Sequence, residues 1–228
     1  MIMLSRTPLF NDAVWTYLLA SMRDESAFRE RVRDACRRVL ELKLERLRGE
    51  GSVPFIPDLK KVASELPHPE GSAFFLDLAA RSVTVVSGEH LFPLEDAGRV
   101  LLAGNFAEFF SAGKKAFPGA ASYWYSPSRG AAELAGYVRN ADTVIFCLSD
   151  RGGLGILREI RRFVETGGKK LIVFSILNPV YLEEVSWADG AVAVYSSAPE
   201  SFTAGFSVIA GRIPGGGRLP FSLTEAAP

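Results

Sequence analysis

Apolar residues in this chain follow two rhythms, and the change between them divides the sequence. Phe28, Val32, Ala35, Cys36, Val39, Leu40, Leu44 and Leu47 recur at the spacing of one helical face. They predict a helix that begins at an N-cap on Asp24 or Ser26 and ends at Gly49. Ahead of it, Asn11 or Asp12 is placed to cap a short helix carrying Val14, Trp15, Leu18 and Leu19. The run Met1–Leu4 reads as a buried strand that stops at Ser5-Arg6-Thr7-Pro8. Residues 49–70 hold Pro54, Pro57, Pro67 and Pro69 and predict a linker with a helical turn at 58–65. A short helix at 73–82 and a strand at Val83–Val86 follow.

From Gly98 the rhythm becomes regular. Strands are predicted at Arg99–Ala103, Ser122–Tyr125, Thr143–Leu148, Lys170–Ile176 and Ala191–Tyr195. Helices are predicted between and after them at about 106–117, 129–140, 154–166, 179–186 and 200–210. Continuous apolar strands alternating with helices indicate a parallel sheet covered on both faces. Five βα units cannot close an eight-stranded barrel. The expected fold is therefore α/β: an open, doubly wound, mostly parallel sheet of the flavodoxin type. It would have about five or six strands, preceded by an N-terminal helical arm. The expected division is a helical arm at 1–48, a linker with a short helix and strand at 49–97, and the α/β sandwich at 98–228.

That fold places a candidate site. In strand order 2-1-3-4-5 the ligand crevice lies beyond the C-terminal ends of the first and third strands. The first ends in Gly104-Asn105 and the third in Ser149-Asp150-Arg151-Gly152-Gly153. Asn105, Asp150 and Arg151 supply an amide, a carboxylate and a guanidinium suited to sugar hydroxyls. The competing reading makes Asp150 the cap of the next helix and pairs Arg151 with a neighbouring acid. Gly152-Gly153-Leu154-Gly155 precedes a helix and so could face phosphate, but it matches neither the dinucleotide nor the Walker spacing. Gly215-Gly216-Gly217 precedes an apparent strand and reads as a turn.

Composition narrows the functional classes. The chain has 228 residues, enough to bury roughly 70% of its unfolded surface without metal or disulfides. Its 26 basic and 26 acidic residues cancel, which removes a whole-protein pull on nucleic acid or anionic membrane. The basic face of the 24–48 helix (Arg29, Arg31, Arg33, Arg37, Arg38) is interleaved with Glu30, Asp34, Glu41 and Glu45. No aromatic platform accompanies it, so it reads as a solvated face with an Asp34–Arg38 pair. Two cysteines and two histidines exclude a disulfide scaffold, a four-Cys zinc site and a His-rich centre. No metal or cofactor is expected, and no apolar run is long enough to span a membrane. The first 23 residues lack a signal-peptide pattern, so a cytoplasmic location is expected if Met1 is the natural start. No GxSxG elbow exists, and Cys147 sits inside an apolar strand as a core residue.

Four segments carry a family resemblance. Ala35–Lys43 (ACRRVLELK) looks like the S-V-x-R-I-L-x-x-K helix of family 3 glycoside hydrolases, and Leu78–Val86 (LAARSVTVV) is similar to their A-A-R-x-S-I-V-L-L-K segment. His90-Leu91-Phe92-Pro93-Leu94 matches L-L-P-L. Ala204-Gly205 through Ile213–Phe221 resembles G-x-x-N-P-S-G-R-L-P-V. The resemblance implies a C-terminal α/β sandwich that partners an N-terminal TIM-like barrel of the same enzyme, with a carbohydrate as substrate. In that family the barrel carries the catalytic Asp nucleophile, so no residue here inherits a catalytic role. Met1–Leu4 and residues 11–23 then look like the last strand and helix of that barrel. β-Glucosidase-like members place a Glu on a loop before an Asp-Arg pair. Here Asp150-Arg151 follows Leu148-Ser149 directly, a departure that fits the β-N-acetylglucosaminidase branch. The implied reaction is retaining hydrolysis of terminal β-linked amino sugars. The alternative is a free-standing, non-catalytic flavodoxin-like module that binds a sugar or nucleotide.

Overall fold

The computed structural model describes residues 13–48, 56–126 and 131–223. The chain forms two compact units, Met1–Pro67 and His68–Pro228. The expected Met1–Leu4 strand, the Asn11 or Asp12 cap and the Gly49 stop lie outside the described residues.

In the first unit, α1 (Ala13–Asp24) and α2 (Ser26–Leu47) are separated by Glu25 alone, and α3 (Leu59–Glu65) follows. The α2 N-cap is Glu25, which makes no side-chain capping bond, rather than Asp24 or Ser26. The Arg29 guanidinium instead ties the junction, with Nε donating to the Met22 carbonyl at 2.8 Å. Asp34 pairs with both Arg37 (2.9 Å) and Arg38 (3.1 Å), so the basic face is partly self-neutralised. No α2 side chain is buried, and Leu40, Leu42 and Leu44 are at least half exposed.

The second unit holds α4 (Pro69–Ser82), β1 (Thr84–Ser87), β2 (Val100–Gly104), α5 (Ala107–Ala116), β3 (Ala121–Trp124) and α6 (Ala131–Arg139). It continues with β4 (Thr143–Leu148), α7 (Arg151–Thr166), β5 (Lys170–Ser175), β6 (Gly190–Ala193) and α8 (Pro199–Ile209). The sheet order is β1-β6-β5-β4-β2-β3, in which only the β1–β6 pair is antiparallel. Its five parallel strands therefore run in the flavodoxin-like order 2-1-3-4-5. The compact unit His68–Pro228 includes α4 and β1, with β1 joined to the edge of the sheet. Pro69 opens α4 at its first turn, where a missing N–H is harmless. Thr84 and Val85 then pair with Ala193 and Val192.

Two further segments differ from expectation. Residues 179–185 form a 3-10 helix, started by Pro179 and capped by Asn178, whose Oδ1 accepts the Val180 N–H at 3.1 Å. No strand follows the glycine run among the described residues. Gly216 instead bridges Thr84, and the Gly217 N–H donates to the Val83 carbonyl at 2.9 Å. A Cβ on Gly217 would lie 2.2 Å from the Ser82 carbonyl oxygen, so glycine permits this backbone approach to β1.

Alternation along the strands fills two cores. Leu101, Val144, Phe146, Leu171 and Val173 face α6 and α7. Leu102, Ile145, Ile172 and Phe174 face α4, α5 and α8 through Phe109, Phe202 and Phe206. Phe109 lies 5.1 Å from Phe206 and 5.5 Å from Phe174, ring centre to ring centre.

Candidate functional site

The switch in strand order falls between β2 and β4. The helix after β2 crosses to one face of the sheet and the helix after β4 to the other, which opens a crevice at their C-terminal ends. Gly104, the last residue of β2, is closely packed at this end of the sheet. A Cβ there would lie 2.8 Å from the Phe109 ring and 3.1 Å from Cys147 Cβ.

Asp150 is exposed and caps α7. Its Oδ1 accepts the Gly153 N–H at 2.9 Å, and its Oδ2 accepts the Ser149 hydroxyl at 3.0 Å. The cap begins α7 at Arg151, three residues earlier than the apolar pattern suggests. It also uses the Gly153 N–H that a phosphate would need. Arg151 is exposed and has no ion-pair partner among the described residues. Asn105 follows β2, and its Oδ1 is buried without a hydrogen-bond partner. Orphaned buried acceptors are uncommon in folded proteins, and this one lies at the end of a strand that borders the crevice.

Two aromatic residues of this region are absent from the expected site. Tyr125 is buried, stacks on Phe146 at 5.0 Å and donates its hydroxyl to the Cys147 carbonyl at 2.6 Å. Burial raises its pKa well above the ordinary tyrosine value, with help from the nearby Cys147 and Asp150. It remains a neutral donor that ties β3 to β4. Trp124 pairs in register with Gly104 and is 45% exposed, 5.5 Å from Phe110. An aromatic at the end of a strand is the sequence signal for both, but strand periodicity alone does not separate the buried one from the exposed one.

Cys147 is fully buried, and burial pushes its thiol far above the ordinary range, which leaves no thiolate for nucleophilic chemistry. No cluster of three potential metal ligands exists among the described residues. No helix there is long and apolar enough to cross a membrane. A concavity also lies elsewhere in the fold. A groove of about 840 Å³ opens at the opposite, N-terminal ends of β2 and β3.

A doubly wound sheet whose strand order switches between β2 and β4 defines a flavodoxin-like α/β sandwich. No protein-family model and no curated protein matches the sequence. Among solved structures, the chain is similar over 94% of its length to a family 3 β-N-acetylglucosaminidase from Paenibacillus sp. str. FPU-7 (TM-score 0.67, 19% identity). It is also similar over 94% of its length to a fungal multi-domain family 3 β-N-acetylglucosaminidase (TM-score 0.63, 19% identity). A β-glucosidase involved in saponin metabolism from intestinal bacteria matches 92% of the chain (TM-score 0.62, 12% identity). The chain spans only 44%, 26% and 40% of those three proteins. The fold is thus shared with part of these larger glycoside hydrolases.

Proposed function

We propose that this chain is the C-terminal α/β sandwich, with its connecting helices, of a family 3-type glycoside hydrolase of the β-N-acetylglucosaminidase branch. The observation that carries this reading is the pairing of coverages, 94% of this chain against 44% of the Paenibacillus enzyme. The four sequence segments that resemble the family support it. So do the uncovered leucines of α2 and the exposed Phe74, Phe75 and Leu78 of α4, which fit surfaces that another domain would bury.

In this reading the TIM-like barrel supplies the nucleophile and the proton-transfer pair. The sandwich walls the substrate cleft. Arg151 donates to sugar hydroxyls, and the Asn105 Oδ1 accepts from a hydroxyl or an acetamido N–H. Asp150 holds the start of α7 in place and offers its solvent-facing carboxylate edge. The absence of a Glu ahead of Asp150-Arg151 favours the amino-sugar branch over the β-glucosidases. Hydrolysis then proceeds with retention through a glycosyl-enzyme intermediate formed on the barrel.

The test compares the natural-length polypeptide from source cells with the 228-residue chain on chromogenic β-N-acetylglucosaminide and β-glucoside. Immunoblotting should show a band larger by about 250 residues, one barrel. The long chain should hydrolyse the amino sugar in preference to the glucoside, and the short chain neither. A sole natural band at 24.8 kDa would overturn the reading in favour of a free-standing binding module.

A further inference from the structure

The 840 Å³ groove lies at the end of the sheet opposite the crevice and has the volume of a small-molecule site. One wall is a single face of α6 continued into the turn that follows it. Glu133, Gly136, Tyr137 and Asn140 all line it, at the i, i+3, i+4, i+7 spacing that puts residues on one side of a helix. The opposing wall is the turn Phe117-Pro118-Gly119 between α5 and β3. The groove is open beside both walls, since a Cβ at Gly136 or at Gly119 would meet nothing within 4 Å. Gly119 also has φ of +93°, which disfavours any replacement with a side chain.

The polar groups of the groove are set in position. The Glu133 carboxylate receives the Tyr123 hydroxyl at 3.3 Å. Asn140 donates Nδ2 to the Gly136 carbonyl at 3.2 Å, which fixes its amide. Tyr137 is 43% exposed, with its ring centre 5.1 Å from that of Tyr123. Arg99 is the groove's cation, and Asp142 already holds it through two side-chain bonds of 2.9 Å. The lining therefore has no surplus positive charge to attract an anion. An aromatic face and a carboxylate on α6, with an amide in the turn just after it, suit a ligand with apolar C–H faces and hydroxyl edges.

We infer that this groove binds a neutral saccharide of about two sugar rings, at a site separate from the strand-end crevice. Tyr137 packs against a sugar face, and Glu133 and Asn140 accept its hydroxyls. The inference does not depend on the presence of a barrel.

The experiment titrates the nitrogen-15-labelled 228-residue chain with N,N′-diacetylchitobiose and follows the backbone amide shifts. Saturable shifts are expected at Gly119, Gly136 and Tyr137. Tyr137→Ala should weaken binding by about tenfold or more, and Gly136→Leu should abolish it by filling the groove. Asn105→Ala should leave it unchanged. Absence of saturable shifts would overturn the inference, as would tighter binding of adenosine than of the disaccharide. Shifts confined to the surroundings of Asn105 and Asp150 would also overturn it, while leaving the crevice reading intact.

Discussion

The carboxylate of Asp150 accepts the backbone N–H of Gly153 at 2.9 Å and so fixes the first turn of α7 beside the crevice. Asp150→Ala should cost about 1 kcal/mol, the usual worth of an N-cap, whereas Asp150→Asn should keep most of it. Urea unfolding measures both. If Asp150 also touches substrate, the Asn variant keeps its stability and loses affinity, which separates the two roles.

Tyr125→Phe removes one oxygen and leaves the Cys147 carbonyl without its 2.6 Å donor in a buried setting. The expected loss is about 1–3 kcal/mol. Thermal or urea unfolding that matches the parent chain would show that water replaces the hydroxyl.

Acid should weaken the join between β2 and β4. Asp142 receives the Arg99 side chain and the Arg99 backbone N–H, and these hold its carboxyl well below the ordinary value of 3.8. A depressed folded-state pKa contributes stability above the unfolded value, and that stability is lost as pH falls through the folded one. The destabilisation by Asp142→Asn should therefore be full at neutral pH and shrink below pH 3.8. The measurement is the pH dependence of urea midpoints for both chains.

If the proposed glycosidase reading holds, Arg151→Ala in the natural-length polypeptide should raise KM more than it lowers kcat, because an exposed guanidinium contacting sugar hydroxyls contributes binding rather than chemistry. An unchanged KM would remove Arg151 from the substrate site.

Gly205→Ala tests the packing of α8 on the sheet. Its Cβ would lie 2.4 Å from Cζ of Phe174 and 2.7 Å from Cγ1 of Val194, both buried side chains with little room to move. Overpacking of this kind costs about 1–3 kcal/mol, readable as a lower melting temperature.

The regular half of the fold was legible because buried parallel strands announce themselves as apolar runs. Thr143–Leu148 is a strand at the expected bounds, and the inferred order 2-1-3-4-5 is the one observed. The incorporation of α4 and β1 was not legible. β1 is four residues long and pairs with β6 from more than a hundred positions away, so no local pattern records the partnership. Asp150 illustrates a second limit. Its capping role was readable from its place before a helix, but the lone Oδ1 of Asn105 emerges only when neighbours are packed around it. The groove on α6 was missed for a related reason. Glu133, Gly136, Tyr137 and Asn140 share a face in sequence, yet only the turn at Gly119 makes that face one side of a cavity.

The antiparallel edge of the sheet also sets a schedule. Thr84 has its partner at Ala193, so β1 leaves the ribosome long before the strand it must join. β2 to β5 can assemble among themselves as each βα unit is made, but β1 waits for β6, and Gly216 then closes over its outer side. A nascent chain stopped short of residue 190 would carry an unpaired strand with Val85 and Val86 on offer to any other edge. The sandwich becomes safe from such pairing only when β6 and the segment reaching Gly216 have been synthesised.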